Sequence, residues 1–227
     1  MFLSLNKSKA GIEITPDRIR SALISGRGSL FFIEKLADIE LLSGLVRPSF
    51  KTENITDTDA FCGFLEKACD LLNTKRIGVA LPDAAVQIFL KKYIELPDDP
   101  KQIEEMIEWD ISAALNLSAD RIRLSWDEMG SGADGSRVFL VALGMEEVMS
   151  QYEDVFAAAG IKAMILAPAG LNRFNFYCRA VPESGRVAYL GMFDEFVNIF
   201  VFHDGTPIFY KGIKKGHLSH QGGSAID

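Results

Sequence analysis

Apolar and polar positions alternate through the opening of the chain, and turn residues cut the alternation twice. Ala10–Ile14, Ile19–Ser25 and Leu30–Glu40 read as three successive strands, separated by Thr15-Pro16-Asp17 and by Gly26-Arg27-Gly28. The first two are expected to pair as a hairpin. The period then lengthens. Phe61, Cys62, Leu65, Ala68, Cys69 and Leu72 recur at helical spacing, and Thr56 to Asp59 supply cap chemistry ahead of them. Ile77–Leu81 is a short, wholly apolar strand ended by Pro82. Such a strand belongs in the middle of a sheet, covered on both faces.

Ala85–Leu96 reads as a long strand ending at Pro97. Asp99 caps the next helix and Pro100 takes its first position. Ile103, Met106, Ile107, Ile111, Ala114 and Leu115 form its apolar stripe. Glu104, Glu105, Glu108 and Asp110 read as a solvated face, and Trp109 as a core residue at the rim in preference to a partner anchor. Arg121–Glu128 and Arg137–Leu143 are strands joined by Gly130-Ser131-Gly132-Ala133-Asp134-Gly135. These residues spell GxGxxG, but a dinucleotide loop needs a helix after it and here a strand follows. The segment is a hairpin connection, and 85–143 is a small β-α-β-β module.

Met145–Ala159 is a helix stopped by Gly160, Ile161–Ala167 a strand and Pro168–Arg179 a further helix. Val181–Arg186 links to three strands, Val187–Met192, Phe196–His203 and Pro207–Ile213. Asp204-Gly205 marks the hairpin between the last two. Phe196, Ile199, Phe200, Val201 and Phe202 put apolar side chains on both faces of one strand, which asks for cover on both sides. Either a longer protein or another chain is expected to supply it.

The 227 residues are 48% hydrophobic and 24% charged, an ordinary globular composition. Net charge is -7 and no Lys/Arg stripe stands out, which argues against a nucleic-acid partner. Met1 to Gly11 lacks an apolar signal-peptide core, and no apolar run reaches the roughly 20 residues of a spanning helix. Direct membrane insertion is therefore not expected, while attachment through a partner stays open. The three cysteines fit a reducing cytoplasm, with Cys62 and Cys69 as small core side chains. No GxSxG, HExxH or GxxxxGK[ST] occurs, and His217-x-x-His220 falls in the polar tail.

The order of these elements is distinctive, and GIEITPDRIRSALI (11–24), VALPDAAVQIFLKKYIELP (79–97), FLVALGMEEVMSQYEDVFAAAGIKAMILAPAGLNRF (139–174) and VNIFVFHDGTPIFYKGI (197–213) carry a resemblance. The chain resembles the actin-like ATPase superfamily and, within it, the PilM family of type IV pilus assembly proteins. It is similar in general plan to the cytoplasmic domain of the type II secretion protein GspL. The resemblance implies an α/β, actin-like ATPase (ribonuclease H-like) fold with an inserted β-α-β-β subdomain and an incomplete second domain. Residues 1–84 plus 144–182 would form the first domain, 85–143 the insertion and 183–213 the opening strands of the second. Residues 214–227 would form a disordered tail.

The superfamily's first phosphate loop matches Glu13-Ile14-Thr15-Pro16-Asp17. Thr15 stands where a glycine is expected and Pro16 removes a backbone donor. The second loop matches Gly191-Met192-Phe193-Asp194-Glu195-Phe196-Val197, where Asp194 and Glu195 add negative charge opposite a triphosphate. Both loops are degraded, and the expectation is a pseudo-ATPase with no cofactor. The resemblance then implies a scaffold at the cytoplasmic face of the inner membrane that captures the cytoplasmic peptide of a PilN-like bitopic protein. Assembly ATPases of the pilus or secretion system and a second copy of the chain are further candidate partners. The alternative is an ATP-binding ATPase or small-molecule kinase of the same fold. In that case Glu13, Thr15, Asp17 and Asp194 would hold ATP and magnesium.

Overall fold

A computed structural model describes residues 9–27, 30–132, 134–178, 181–193 and 195–215. Ala10–Ile14 (β1) pairs antiparallel with Arg18–Arg27 (β2), and β2 with Leu30–Glu40 (β3), giving the expected hairpin. Ala10, Ile12 and Ile14 all point into the core, as period-2 patterning requires. Thr58–Leu72 (α1) starts at Asp57, whose carboxylate accepts the Ala60 N–H at 2.9 Å, and ends at Asn73 in the left-handed region. Phe61, Leu65, Ala68, Cys69 and Leu72 form its buried stripe. Cys62 is half-buried, with its Sγ against the Val155 carbonyl.

Arg76–Leu81 (β4) runs parallel to β1 in a mixed five-stranded sheet ordered β3-β2-β1-β4-β8, where β8 is Lys162–Pro168; β4 is interior, paired on both sides, but the middle place expected for it belongs to β1. Between β4 and β8 the chain makes its excursion. Asp83–Ala85 form a 3-10 turn, then Val86–Tyr93 (β5), Pro100–Leu115 (α2), Ile122–Ser131 (β6) and Arg137–Met145 (β7) build a three-stranded antiparallel sheet ordered β5-β7-β6. Glu146–Ala158 (α3) then returns to β8. The strand expected to reach Leu96 stops at Tyr93, because Tyr93 opposes Arg137, the first residue of β7. The GxGxxG segment is only in part the connection expected: Gly130 and Ser131 are the last paired residues of β6, and the hairpin turn to β7 starts at Gly132; Ala133 lies outside the described residues.

Ala169–Tyr177 (α4) follows β8 directly, two residues short of the expected Arg179, which lies outside the described residues. Arg186–Met192 (β9), Phe196–His203 (β10) and Thr206–Lys214 (β11) form a third sheet ordered β11-β10-β9. Asp204 and Gly205 both take positive φ, the conformation a two-residue hairpin needs to match strand twist. Phe174 of α4 stacks on Phe200 (ring centroids 4.3 Å apart) and on Phe202 (5.7 Å), which covers one face of this sheet. The other face leaves Leu190 and Met192 exposed. Of the expected tail, Lys214 and Lys215 are described, and 216–227, with His217 and His220, lie outside.

Two expectations for α2 are corrected. Trp109 is not a core residue: it is 74% exposed. Ile103, Ile107 and Ile111 define the buried line and Met106 its half-buried edge; at about 100° per residue Trp109 falls roughly 60° beyond that edge. Asp110 is not simply solvated either. It accepts the Tyr93 hydroxyl at 2.7 Å and pairs with Lys91 at 3.0 Å, tying α2 to β5. No described helix is long and apolar enough to cross a membrane.

Candidate functional site

Parallel strands β1 and β4 end at the same edge of the main sheet, where open α/β folds place their ligands. A cleft of about 230 Å3 opens there. Its walls come from Glu13 to Asp17, from Pro82-Asp83-Ala84, from Ala169 and Arg173 of α4, and from Phe193, Glu195, Phe196 and Lys214.

Glu13 points into this cleft and is paired with the Arg173 guanidinium of α4; Arg20 of β2 adds a longer contact at 3.8 Å. The other side of that guanidinium lies over the Phe193 ring, 3.9 Å from its centroid, a cation–π stack. The ring has room because residue 191 is glycine: a Cβ there would come within 2.8 Å of the Phe193 edge.

Thr15 and Asp17 line the cleft, but their polar atoms are used within the turn. The Thr15 hydroxyl donates to Asp17 Oδ1 at 2.8 Å and receives the Arg18 N–H at 3.1 Å. Arg18 also reaches Asp17 and Asp38 through its guanidinium. The Thr15 hydroxyl and Arg18 together hold the Asp17 carboxyl below its ordinary range. Asp194 lies outside the described residues.

Deeper in sits Asp83, which no pattern in the sequence singles out. It is 8% exposed, follows β4, and accepts the Gly170 N–H at the start of α4 (2.7 Å) and the Asn198 side-chain amide of β10 (3.3 Å). Asn198 in turn accepts the Tyr210 hydroxyl of β11 at 2.7 Å. Burial pushes the Asp83 carboxyl up to about 6, and the two donors hold it back in part. A Cβ at residue 170 would overlap the Asn198 amide and come within 2.8 Å of the carboxylate, so glycine lets the two close on α4.

A magnesium-bound triphosphate needs free backbone donors, a cation or metal carboxylate, and the positive end of a helix. The helix end nearest the cleft, that of α4, already gives its Gly170 N–H to Asp83, and Glu13 is neutralised by Arg173. Asp17 is engaged by Thr15 and Arg18 and Asp83 by Gly170 and Asn198, so neither carboxylate is free for a metal. These residues do not fit the group. Among the described residues no cluster of three or more His, Cys, Asp or Glu is placed to hold a metal ion.

No protein-family model and no curated protein sequence matches the chain. Solved structures do, and they show the fold, which is that of the actin-like ATPases. A chain of the PilM–PilN type IV pilus biogenesis complex aligns at 16% identity and TM-score 0.73, over 90% of this chain. This chain spans 61% of that one's length. A Bacteroides thetaiotaomicron protein of unknown function with an actin-like ATPase fold aligns at 10% identity and TM-score 0.54, covering 94% of this chain and 74% of that one. The cytoplasmic domain of EpsL, an inner-membrane component of the Vibrio cholerae type II secretion system, aligns at 11% and 0.52, covering 92% and 72%. The resemblance read in the sequence holds at the level of the fold.

Proposed function

We propose that this chain is a scaffold of a type IV pilus or type II secretion assembly platform. In this reading it stands at the cytoplasmic face of the inner membrane and binds the cytoplasmic tail of a PilN-like bitopic protein. One observation carries the reading: in the cleft where this fold would hold phosphates, Glu13 is already paired with Arg173, whose other face Phe193 covers. The similarity to a chain of the PilM–PilN complex and to the EpsL cytoplasmic domain supports the same setting.

In this reading residues 1–84 with 144–182 act as one body, 85–143 as a second and 183–213 as a third. The tail lies in the groove between the first two. The chain crosses between them only at Pro82–Ala85 and at the junction of β7 with α3, so the insertion forms one whole wall. An extended peptide would be held there by apolar pockets and a few main-chain hydrogen bonds.

Thermal melting with and without magnesium and ATP separates this from the ATPase reading. A ligand at about 100 times its dissociation constant adds about 2.7 kcal/mol, or roughly 5–10 °C for a chain of this size. The scaffold reading expects no shift. A shift that Glu13→Ala abolishes would reverse it in favour of the ATPase.

A further inference from the structure

The outer side of α2 carries a feature that the cleft and the tail groove leave unused. Glu105, Glu108, Trp109, Ser112 and Asn116 recur three and four residues apart, so they share one face, opposite Ile103, Ile107 and Ile111. Together with Ala113 and Leu117 they line an open groove of about 440 Å3 built entirely from the insertion. The indole of Trp109 stands exposed along it. Ser112 keeps its hydroxyl buried with no hydrogen-bond partner among the described residues. The charge is one-sided. Helix α2 holds Glu104, Glu105, Glu108 and Asp110 against a single cation, Lys101, and among the described residues no lysine or arginine lines the groove.

We propose that this groove is a docking surface for a cationic amphipathic segment of another protein, separate from the tail groove. Trp109 is the anchor. An exposed tryptophan offers a large apolar surface at low entropic cost, which is why it dominates interface energetics where it occurs. An apolar side chain of the partner covers the indole, Ala113 and Leu117. A lysine or arginine of the partner meets Glu105 and Glu108 and also gains the cation–π attraction of the indole. An acidic segment would face two like-charged carboxylates, so the groove selects by sign as well as by shape.

The test titrates the full chain, by calorimetry, with a short peptide of alternating leucine and lysine, and with the same peptide carrying glutamate for lysine. The lysine peptide should bind saturably and more weakly as salt rises, and the glutamate peptide should not bind. Trp109→Ala should loosen binding about tenfold or more. Glu105→Gln with Glu108→Gln should loosen it too, while Asp154→Asn, a loss of charge on exposed α3 surface, should leave it unchanged. In a Trp126→Phe background Trp109 is the only indole, and its emission should move to the blue on saturation. The proposal is overturned if the lysine peptide does not bind, or if Trp109→Ala binds it as tightly as the unaltered chain. Equal binding of the glutamate peptide, or equal weakening by Asp154→Asn, overturns it as well and leaves only attraction to the chain's net charge.

Discussion

Glu13 of β1 is paired with Arg173 of α4, 160 residues later in the chain. Both residues line the cleft, so the Glu13 carboxylate is engaged by a cation of its own chain. Phe193 seals the outer side of that cation. These contacts join β1, α4 and the turn before β10, and make the cleft a structural junction.

Arg173→Ala should therefore cost stability as well as open the cleft. Loss of a half-buried ion pair and of one stacked ring is worth about 1–2 kcal/mol. Arg173→Lys should recover only part, because an ammonium has no planar face to lay on Phe193. Urea unfolding at neutral pH measures both. An Arg173→Ala chain with the midpoint of the unaltered protein would show that the pair contributes nothing.

Asp83 makes stability depend on pH in a defined window. Its folded-state carboxyl lies near 6, against about 3.9 unfolded. Between those values the folded chain binds the extra proton, so this group's contribution to stability falls as pH rises from about 4 to 6 and is level beyond. The groups whose carboxyls are held low, such as Asp17, Asp110 and Glu146, act in the opposite sense on acidification. The difference between the unaltered chain and Asp83→Asn isolates the effect. It should change by about 2–3 kcal/mol across the window, and two parallel pH profiles would contradict it.

Two glycines should respond in opposite directions to alanine. Gly170→Ala drives a methyl into Asn198 and Asp83 and should destabilise by about 1–3 kcal/mol. Gly63 lies on the exposed side of α1, where an added methyl would meet nothing within 4 Å. There alanine should stabilise by about 0.5–1 kcal/mol through helix propensity alone. Chemical denaturation of the pair checks both, and equal shifts of the same sign would contradict the packing at Gly170.

Much of the fold is legible in the sequence because its signals are local. Alternation marks β1 to β3, Asp57 and Asp99 announce their helices, and Asp204-Gly205 announces the last hairpin. Glu13, Thr15 and Asp17 fall on one wall of the cleft because they are neighbours in the chain. Arg173 is invisible at that level, since no short-range pattern links a helix cation to a carboxylate at the other end of the sequence. Asp83 escapes for the same reason: its meaning lies in Gly170 and Asn198. Trp109 misleads because it follows the apolar stripe closely in sequence, whereas the helix turns it away from the core.

The most direct measurement of the central claim is a calorimetric titration of the full chain with a synthetic peptide. The peptide is the cytoplasmic tail of a PilN-like bitopic membrane protein from the same organism. The account predicts saturable one-to-one binding in the range of about 1–100 μM, near −8 to −5 kcal/mol. That binding should be unchanged by magnesium and ATP, by Glu13→Gln and by Trp109→Ala. No binding of the peptide at about 1 mM, from a chain that is folded and soluble, would contradict it.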